Sequence, residues 1–113
     1  GVRIADIGYF IQTEAKKDGF KVIRNIVGHG IGRKLHEEPF EIPCYYDPFN
    51  KGRFKKNSVV AIETFISTRA SQVVEKGDGW TLVTRDGSYV AQHEHTIMIT
   101  DTKPLILTKA NLI

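Results

Sequence analysis

Four side chains in this sequence combine metal-binding chemistry with unusual positions. His29 stands in the glycine-rich segment 28–32, and His36 follows seven residues later. Glu63 lies within an apolar, β-branched run, and Glu94 lies within another predicted strand. A bare carboxylate inside such a strand is costly unless a cation or a donor meets it. One imidazole and two carboxylates are a suitable donor set for divalent Mn, Fe, Co or Zn. The sequence therefore predicts a metal site built from His29, Glu63 and Glu94.

Glu94 is the favoured ligand of its segment although two histidines flank it. Successive side chains of a strand point to opposite faces, so His93 and His95 are expected to face away from Glu94. Two alternatives stay open. Glu94 could instead form a salt bridge with a lysine or arginine, and the glycine segment could be a plain turn with two incidental histidines.

Two familiar motifs are excluded around the glycines. The spacing is not Gly-x-Gly-x-x-Gly and lacks the Gly-Lys-Ser/Thr ending of a phosphate-binding loop. The run from His36 is not His-Glu-x-x-His either, because Phe40 takes the fifth position and Pro39 would disrupt the required helix. Neither a nucleotide cradle nor a helical zinc motif is expected here.

The elements that must position these groups follow from apolar spacing. Intervals of three and four residues predict an amphipathic helix over Ile4–Lys17, ended by Gly19. Because the glycines of 28–32 suit neither a helix nor a strand interior, we expect His29 to lie on a loop. Strands are predicted at 20–27, 59–66, 80–84, 89–100 and 105–107, with an irregular segment at 41–58, a hairpin turn at 85–88 and a final turn at 101–104.

Bulk properties narrow the class of protein. The 113 residues amount to one domain or less, and the 41% hydrophobic content is enough for a modest core. A single cysteine excludes an internal disulfide framework and suits a reducing cytosol. No apolar run approaches the roughly 20 residues of a membrane span. The chain opens without methionine, which indicates a piece of a longer protein.

A basic segment offers a second, weaker functional interpretation. Its cations surround two aromatic rings, a composition that can contact nucleic acid. The net charge of +3 is mild, and a solvated surface loop is the favoured interpretation. The segment comprises Phe49, Lys51, Arg53, Phe54, Lys55 and Lys56.

Taken together, the motifs resemble the type I methionine aminopeptidases, metallopeptidases with a pita-bread fold. The resemblance extends through nearly the whole chain and depends on several motifs in one order. They are Asp6-Ile7-Gly8, Gly28-His29-Gly30-Ile31-Gly32, His36-Glu37-Glu38-Pro39, Ala61-Ile62-Glu63, Trp80-Thr81, and Ala91-Gln92 leading into Glu94-His95-Thr96.

The resemblance implies a fold and a set of roles. The fold would be α+β, with residues 1–113 forming the C-terminal half of a pita-bread domain: a long helix packed on a curved, mostly antiparallel sheet. Two divalent ions (Co, Mn, Fe or Zn) would be held by His29, both glutamates and two aspartates of an N-terminal half that this chain does not contain. At most one ion would bind, weakly, to this chain alone. Glu94 would bridge the ions, and Glu63 would also move a proton.

The resemblance also implies substrate-binding residues. His36 would stabilise charge on the substrate carbonyl, and Trp80 would line the methionine pocket. Leu35 stands where an aromatic often lines that pocket. The activity implied for the intact enzyme is removal of the N-terminal methionine from nascent proteins, with this fragment alone inactive.

The partners and location follow from that activity. We expect a cytoplasmic, monomeric enzyme that acts near the ribosome, with no membrane and no specific nucleic acid as a partner. Two alternatives remain: a proline-directed peptidase of the same fold, or a non-catalytic relative that binds protein or RNA.

Overall fold

A computed structural model describes residues 1–110 of the chain. Over this range it contains one helix and eight strands. Their bounds are α1 Ile4–Lys17, β1 Lys21–Val22, β2 Gly28–Gly30, β3 Glu37–Ile42, β4 Val59–Ser67, β5 Val74–Glu75, β6 Leu82–Val83, β7 Val90–Met98 and β8 Leu105–Ile106.

The helix has the predicted bounds. It ends where Asp18 caps the last turn and Gly19 adopts a φ of +80°, a conformation that glycine reaches without steric cost. The Gly19 and Phe20 N–H groups donate to carbonyl oxygens of the last turn. Lys16 and Lys17 stand at the negative end of the helix dipole, so sequence and terminus agree.

Two antiparallel sheets make up the β-structure of the described residues. The larger sheet has the strand order β3-β2-β4-β7-β8, and β1 pairs with the C-terminal end of β4 at Ile66 and Ser67. The smaller sheet pairs β5 with β6. The longest pairing joins β4 to β7 in continuous register from Val59↔Met98 to Ser67↔Val90. The α+β prediction, one helix with a mostly antiparallel sheet, is confirmed.

The central strand β4 separates two different faces. Val60, Ile62 and Ile66 point to the side covered by α1, where they pack with Ile4 and other apolar residues. The alternate residues of β4, Ala61, Glu63 and Phe65, point to the other side, here called the open face. The core therefore lies under the helix, and the open face is left for chemistry.

Residues 28–30 of the glycine segment form strand β2, which corrects the loop predicted for His29. Residues 31–36, which include Gly32, belong to no helix or strand. β2 lies between β3 and β4, and Gly28 and Gly30 have no positive φ. Each glycine is needed because a neighbouring backbone approaches closely: a Cβ at Gly28 would overlap the Ala61 carbonyl oxygen, and one at Gly30 would overlap that of Glu38. The glycines thus allow close strand packing instead of a turn.

Two predicted strands lose more than half of their expected length, and one predicted hairpin is paired differently. The strand predicted at 20–27 is reduced to β1, because the chain beyond it bends and bonds to the segment 71–73. The strand predicted at 80–84 is reduced to β6, which pairs with β5 and not with β7. Strands β3 and β5 were not predicted from the sequence.

The basic segment is largely engaged within the chain. Lys56 forms an ion pair with Asp101 at 2.6 Å, and the Arg53 guanidinium donates to the Gly1 carbonyl at 2.7 Å. Phe54 is buried in the core, whereas Phe49 is exposed. These contacts favour the surface-loop interpretation.

Over residues 1–110, no helix is both long and apolar enough to cross a membrane.

Cys44, the one cysteine of the chain, is expected to react slowly with thiol reagents in the folded protein. Its side chain is buried against α1 and β1, and its Sγ donates to the Ile23 carbonyl at 3.3 Å. Burial raises the pKa of the thiol, which lowers the thiolate fraction. Timed labelling with a disulfide reagent, with and without urea, checks this. Equal rates in both conditions would contradict the burial.

Candidate metal site

His29 is held on the open face by strand β2, next to the central strand β4. It is buried, and it lies opposite Ala61 in the β2–β4 pairing. Its Nδ1 lies 2.8 Å from the Gly30 carbonyl oxygen. Because a carbonyl can only accept, Nδ1 carries a proton, and Nε2 is the ring atom left to face the open side of the site. Metal-ligating histidines use the same arrangement, a ring N–H donated to a backbone carbonyl.

The Nε2 atom of His29 faces the Glu63 carboxylate. Nε2 and Oε2 are 3.2 Å apart, and the Glu63 side chain is only 15% exposed. Burial raises the pKa of Glu63, the negative charge of Glu94 adds to this rise, and His29 opposes it. A lone pair and a carboxylate at this distance require a proton or a cation between them.

Glu94 stands directly opposite Glu63 in the β4–β7 pairing. Directly paired residues share a face, so both glutamates and His29 lie on the open face. Glu94 is exposed, and its Oε2 accepts a long hydrogen bond of 3.4 Å from the Gln92 amide. Within residues 1–110, no three His, Cys, Asp or Glu side chains are already gathered closely enough to hold an ion. The full convergence that the sequence predicted is therefore not present in these side-chain positions.

The chemistry of this donor set nevertheless fits a divalent cation. Like charges directly opposite each other destabilise a sheet, and Glu63 pays a desolvation cost as well. A cation would offset both costs, and it could be bound by Nε2 of His29 as well as by the carboxylates. Imidazole with carboxylates suits Zn, Fe, Mn and Co. The residues present thus fit the metal that the sequence predicted.

His36 lies beside this set without joining it. It is exposed at the end of the segment between β2 and β3, and its ring centroid is 4.1 Å from that of His29. The flanking histidines of Glu94 behave as strand alternation predicts. His95 pairs opposite Ile62, which belongs to the helix side, and its Nδ1 lies 2.8 Å from the Thr108 hydroxyl. His93 and His95 are therefore not part of the open face.

A cavity of about 630 Å³ extends the open face next to the glutamates. Phe65 lies two residues after Glu63 and Gln92 two residues before Glu94, so both project from the open face into it. The remaining wall comes from Ile26, from Val73 and from residues 82–84 and 87–90. This cavity was not predicted from the sequence, although Phe65 and Gln92 each stand two residues from a glutamate and so share its face of the sheet.

The two predicted pocket residues lie elsewhere. Leu35 and Trp80 are 67% and 88% exposed, and neither lines this cavity. Their role in methionine binding stays a prediction. Trp80 belongs to the turn 78–81 that joins β5 to β6, so its position depends on that turn.

Asp78 holds the turn that carries Trp80. Its carboxylate accepts the Thr81 hydroxyl at 2.5 Å and the N–H groups of Trp80 and Thr81 at 2.9 and 2.7 Å. These bonds, led by that of the Thr81 hydroxyl, lower the pKa of Asp78 from 3.8 to about 2. Because the pKa of Asp78 is lowered on folding, its ionised carboxylate stabilises the turn at any pH above the ordinary carboxyl pKa. This stabilisation is lost as the pH falls toward about 2.

Replacing Thr81 with Val is expected to raise the pKa of Asp78 toward its ordinary value, because the largest contribution is removed. Titration of the Asp78 carboxyl carbon by NMR measures the change. Thr84→Val is the matched control, since the Thr84 hydroxyl donates to the Ser88 carbonyl and not to Asp78. An unchanged titration in Thr81→Val would contradict the hydrogen-bond assignment.

Comparison with known proteins places the chain in a family of enzymes, the M24 metallopeptidases. The profile of metallopeptidase family M24 matches residues 1–101, and the chain belongs to that family. Within it, the chain is similar to methionine aminopeptidase 2 of Bacillus subtilis, with 55% identity over 109 residues, covering 96% of this chain and 44% of the relative.

Solved structures give the same picture of the fold. A methionine aminopeptidase of Thermotoga maritima matches with a TM-score of 0.89 and 47% identity, covering 97% of this chain and 44% of that one. The enzyme of Rickettsia prowazekii matches with a TM-score of 0.88 and 38% identity, covering 96% and 44%. The chain thus spans less than half the length of the relatives it matches.

Proposed function

We propose that the protein carrying this chain is a metal-dependent methionine aminopeptidase that removes the N-terminal methionine of nascent proteins. One observation carries the proposal: the largely buried contact of His29 Nε2 with the Glu63 carboxylate, at 3.2 Å, lies on the open face opposite Glu94. The similarity to methionine aminopeptidases supports the choice of substrate.

His29, Glu63 and Glu94 would hold the divalent ions. Bound divalent ions supply Lewis acidity toward a peptide carbonyl and lower the pKa of a water molecule. Two ions, of Co, Mn, Fe or Zn, are proposed for the whole protein. The remaining ligands would come from parts of the protein beyond this chain, since three protein ligands leave a second ion almost unsupported.

The chain's own residues would move protons and orient the peptide. Glu63, whose carboxylate lies 3.2 Å from His29 Nε2 on the open face, is proposed to take a proton from the attacking water and pass it on. His36, exposed beside His29, can donate a hydrogen bond to the oxygen on which negative charge develops. The apolar cavity can hold part of the peptide, and Trp80 and Leu35 are proposed to border the methionine side chain.

The setting of the reaction is part of the same proposal. Newly made chains present their N-terminal methionine near the ribosome, so we propose a cytoplasmic enzyme that works there as a monomer. A free, buried thiol at Cys44 agrees with a reducing compartment.

Release of methionine from a Met-Ala-Ser peptide by the metal-loaded whole protein tests the function. Release that stops on chelation and returns with added Mn or Co supports it. Glu94→Gln should lack activity, because it removes one of the two facing carboxylates. Cleavage of an Xaa-Pro peptide in place of Met-Ala-Ser would replace the proposal with a proline-directed peptidase.

The 113-residue polypeptide alone is expected to bind at most one divalent ion and to show no hydrolysis. It supplies three of the proposed ligands, and the open site would leave water in the other positions. Calorimetric titration with Mn measures this, with His29→Ala as the comparison. Equal affinity in both chains would show that His29 is not a ligand, and two tight sites would show that ligands were missed.

A further inference from the structure

The ribbon formed by β5, β6 and the turn between them is too small to hold a fixed position without other contacts. Residues 71–84, here called the flap, contain two strands of two residues each. Isolated two-stranded ribbons are marginally stable in water. The position of the flap, and of the exposed Trp80 on its turn, must therefore depend on contacts with the rest of the chain.

Asn25 makes a two-point contact with the flap. Its Nδ2 donates to the Val73 carbonyl at 2.7 Å, and its Oδ1 accepts the Val73 N–H at 3.0 Å. The preceding Arg24 N–H donates to the Ser71 carbonyl at 2.7 Å. The Asn25 amide thus pairs with the backbone of Val73 as a neighbouring strand would, across 48 residues of sequence.

This contact adjoins the open-face cavity. Val73 is 6% exposed and lines the cavity, as does Ile26, the residue after Asn25. Phe65 forms part of the wall on the sheet side. The contact therefore fixes the separation between the flap and the sheet, and with it the shape of the cavity beside Glu63.

An asparagine is needed for this contact because both a donor and an acceptor are used. A carboxylate of the same size could accept the Val73 N–H, but it has no donor and would repel the Val73 carbonyl. Alanine would leave both buried backbone groups of Val73 without this partner.

We propose that Asn25 is a positioning residue that clamps the flap over the open face and thereby sets the affinity of the cavity for the peptide. The clamp acts without contacting the metal ligands. It rests on the proposed function only for its effect on peptide binding, because its effect on the flap is measurable without activity.

The test compares Asn25→Ala and Asn25→Asp in the whole protein, with Gln12→Ala as the control. Gln12 also bonds a backbone group, the Tyr46 N–H at 2.9 Å, but it lies on α1 and away from the flap. Fluorotryptophan labelling reports the flap through the Trp80 ¹⁹F resonance, assigned by its loss in Trp80→Phe. Hydrogen exchange of the Val73 amide reports the bond itself.

For Asn25→Ala we expect faster exchange at Val73, a shifted or broadened Trp80 resonance and a KM raised about tenfold, as befits the loss of two ordinary hydrogen bonds. The kcat and the Mn affinity should change little. Asn25→Asp should keep slower exchange at Val73 than Asn25→Ala, because it retains the acceptor.

Unchanged Trp80 and Val73 signals in both variants would overturn the proposal. A parallel loss of kcat and Mn affinity would also overturn it, because it would indicate general damage to the fold. If the parent protein releases no methionine, the proposed function fails, and the Trp80 and Val73 signals alone decide whether Asn25 clamps the flap.

Discussion

Glu63→Gln in the protein that carries this chain is expected to reduce peptide hydrolysis below detection and to weaken divalent-ion binding by at least about 10²-fold. Loss of a residue that merely supports a ligand already costs 10- to 100-fold, so loss of a ligand should cost no less. Proton transfer from the attacking water would be lost in addition, because an amide is not a base.

The same substitution is expected not to destabilise the metal-free protein. Glu63 is desolvated and faces Glu94 directly, so its negative charge is unfavourable without a cation. Removing a like-charge pair of this kind is worth roughly 0.2–1 kcal/mol. A Gln amide has both a donor and an acceptor, so it can hydrogen-bond to Nε2 of His29 whether or not that nitrogen carries a proton. Urea unfolding in the presence of a chelator measures the change.

Glu41→Gln is the matched control for this prediction, because Glu41 is an exposed carboxylate on β3. It should leave activity, metal affinity and stability as they are in the parent protein. A Glu63→Gln protein that unfolds more easily without metal would show that the carboxylate is a structural partner of His29. The proposed role of Glu63 would then be withdrawn.

The long elements of this fold are predictable because their periods repeat. Four apolar positions at helical spacing define α1, and β4 shows a β-branched character over most of its nine residues. Two-residue strands contain no period. β1, β5 and β6 exist because distant segments offer them hydrogen bonds, and a local pattern does not contain that information.

The candidate site could be predicted only in part, because its geometry depends on the register between strands. Alternation along the strand is enough to predict that His93 and His95 lie on the other face of the sheet from Glu94, and the structure has this arrangement. Whether Glu94 meets Glu63 depends on the register of two strands, and a slip by one residue would turn Glu94 to the helix side. The reason for the glycine at position 28 is also non-local. It becomes visible only when the neighbouring strand is in place, because a Cβ there would overlap the Ala61 carbonyl oxygen.

His36→Ala is expected to lower kcat by about 10² to 10³ while leaving divalent-ion affinity close to that of the parent protein. The expectation follows from position: the His36 ring lies 4.1 Å from that of His29 but is exposed and outside the proposed ligand set. A donor aimed at the oxygen that gains charge in the transition state is worth about this factor. Steady-state kinetics and calorimetric Mn titration of the same preparations separate the two quantities.

Two companions make the result specific to the donor. His36→Gln keeps an N–H donor and should recover part of the lost kcat, which a packing defect would not allow. Lys34→Ala removes another exposed side chain of the same segment and should leave kcat unchanged. If Mn affinity fell together with kcat in His36→Ala, the short distance between the two rings would have to be explained by a shared ion, and His36 would be reassigned as a ligand.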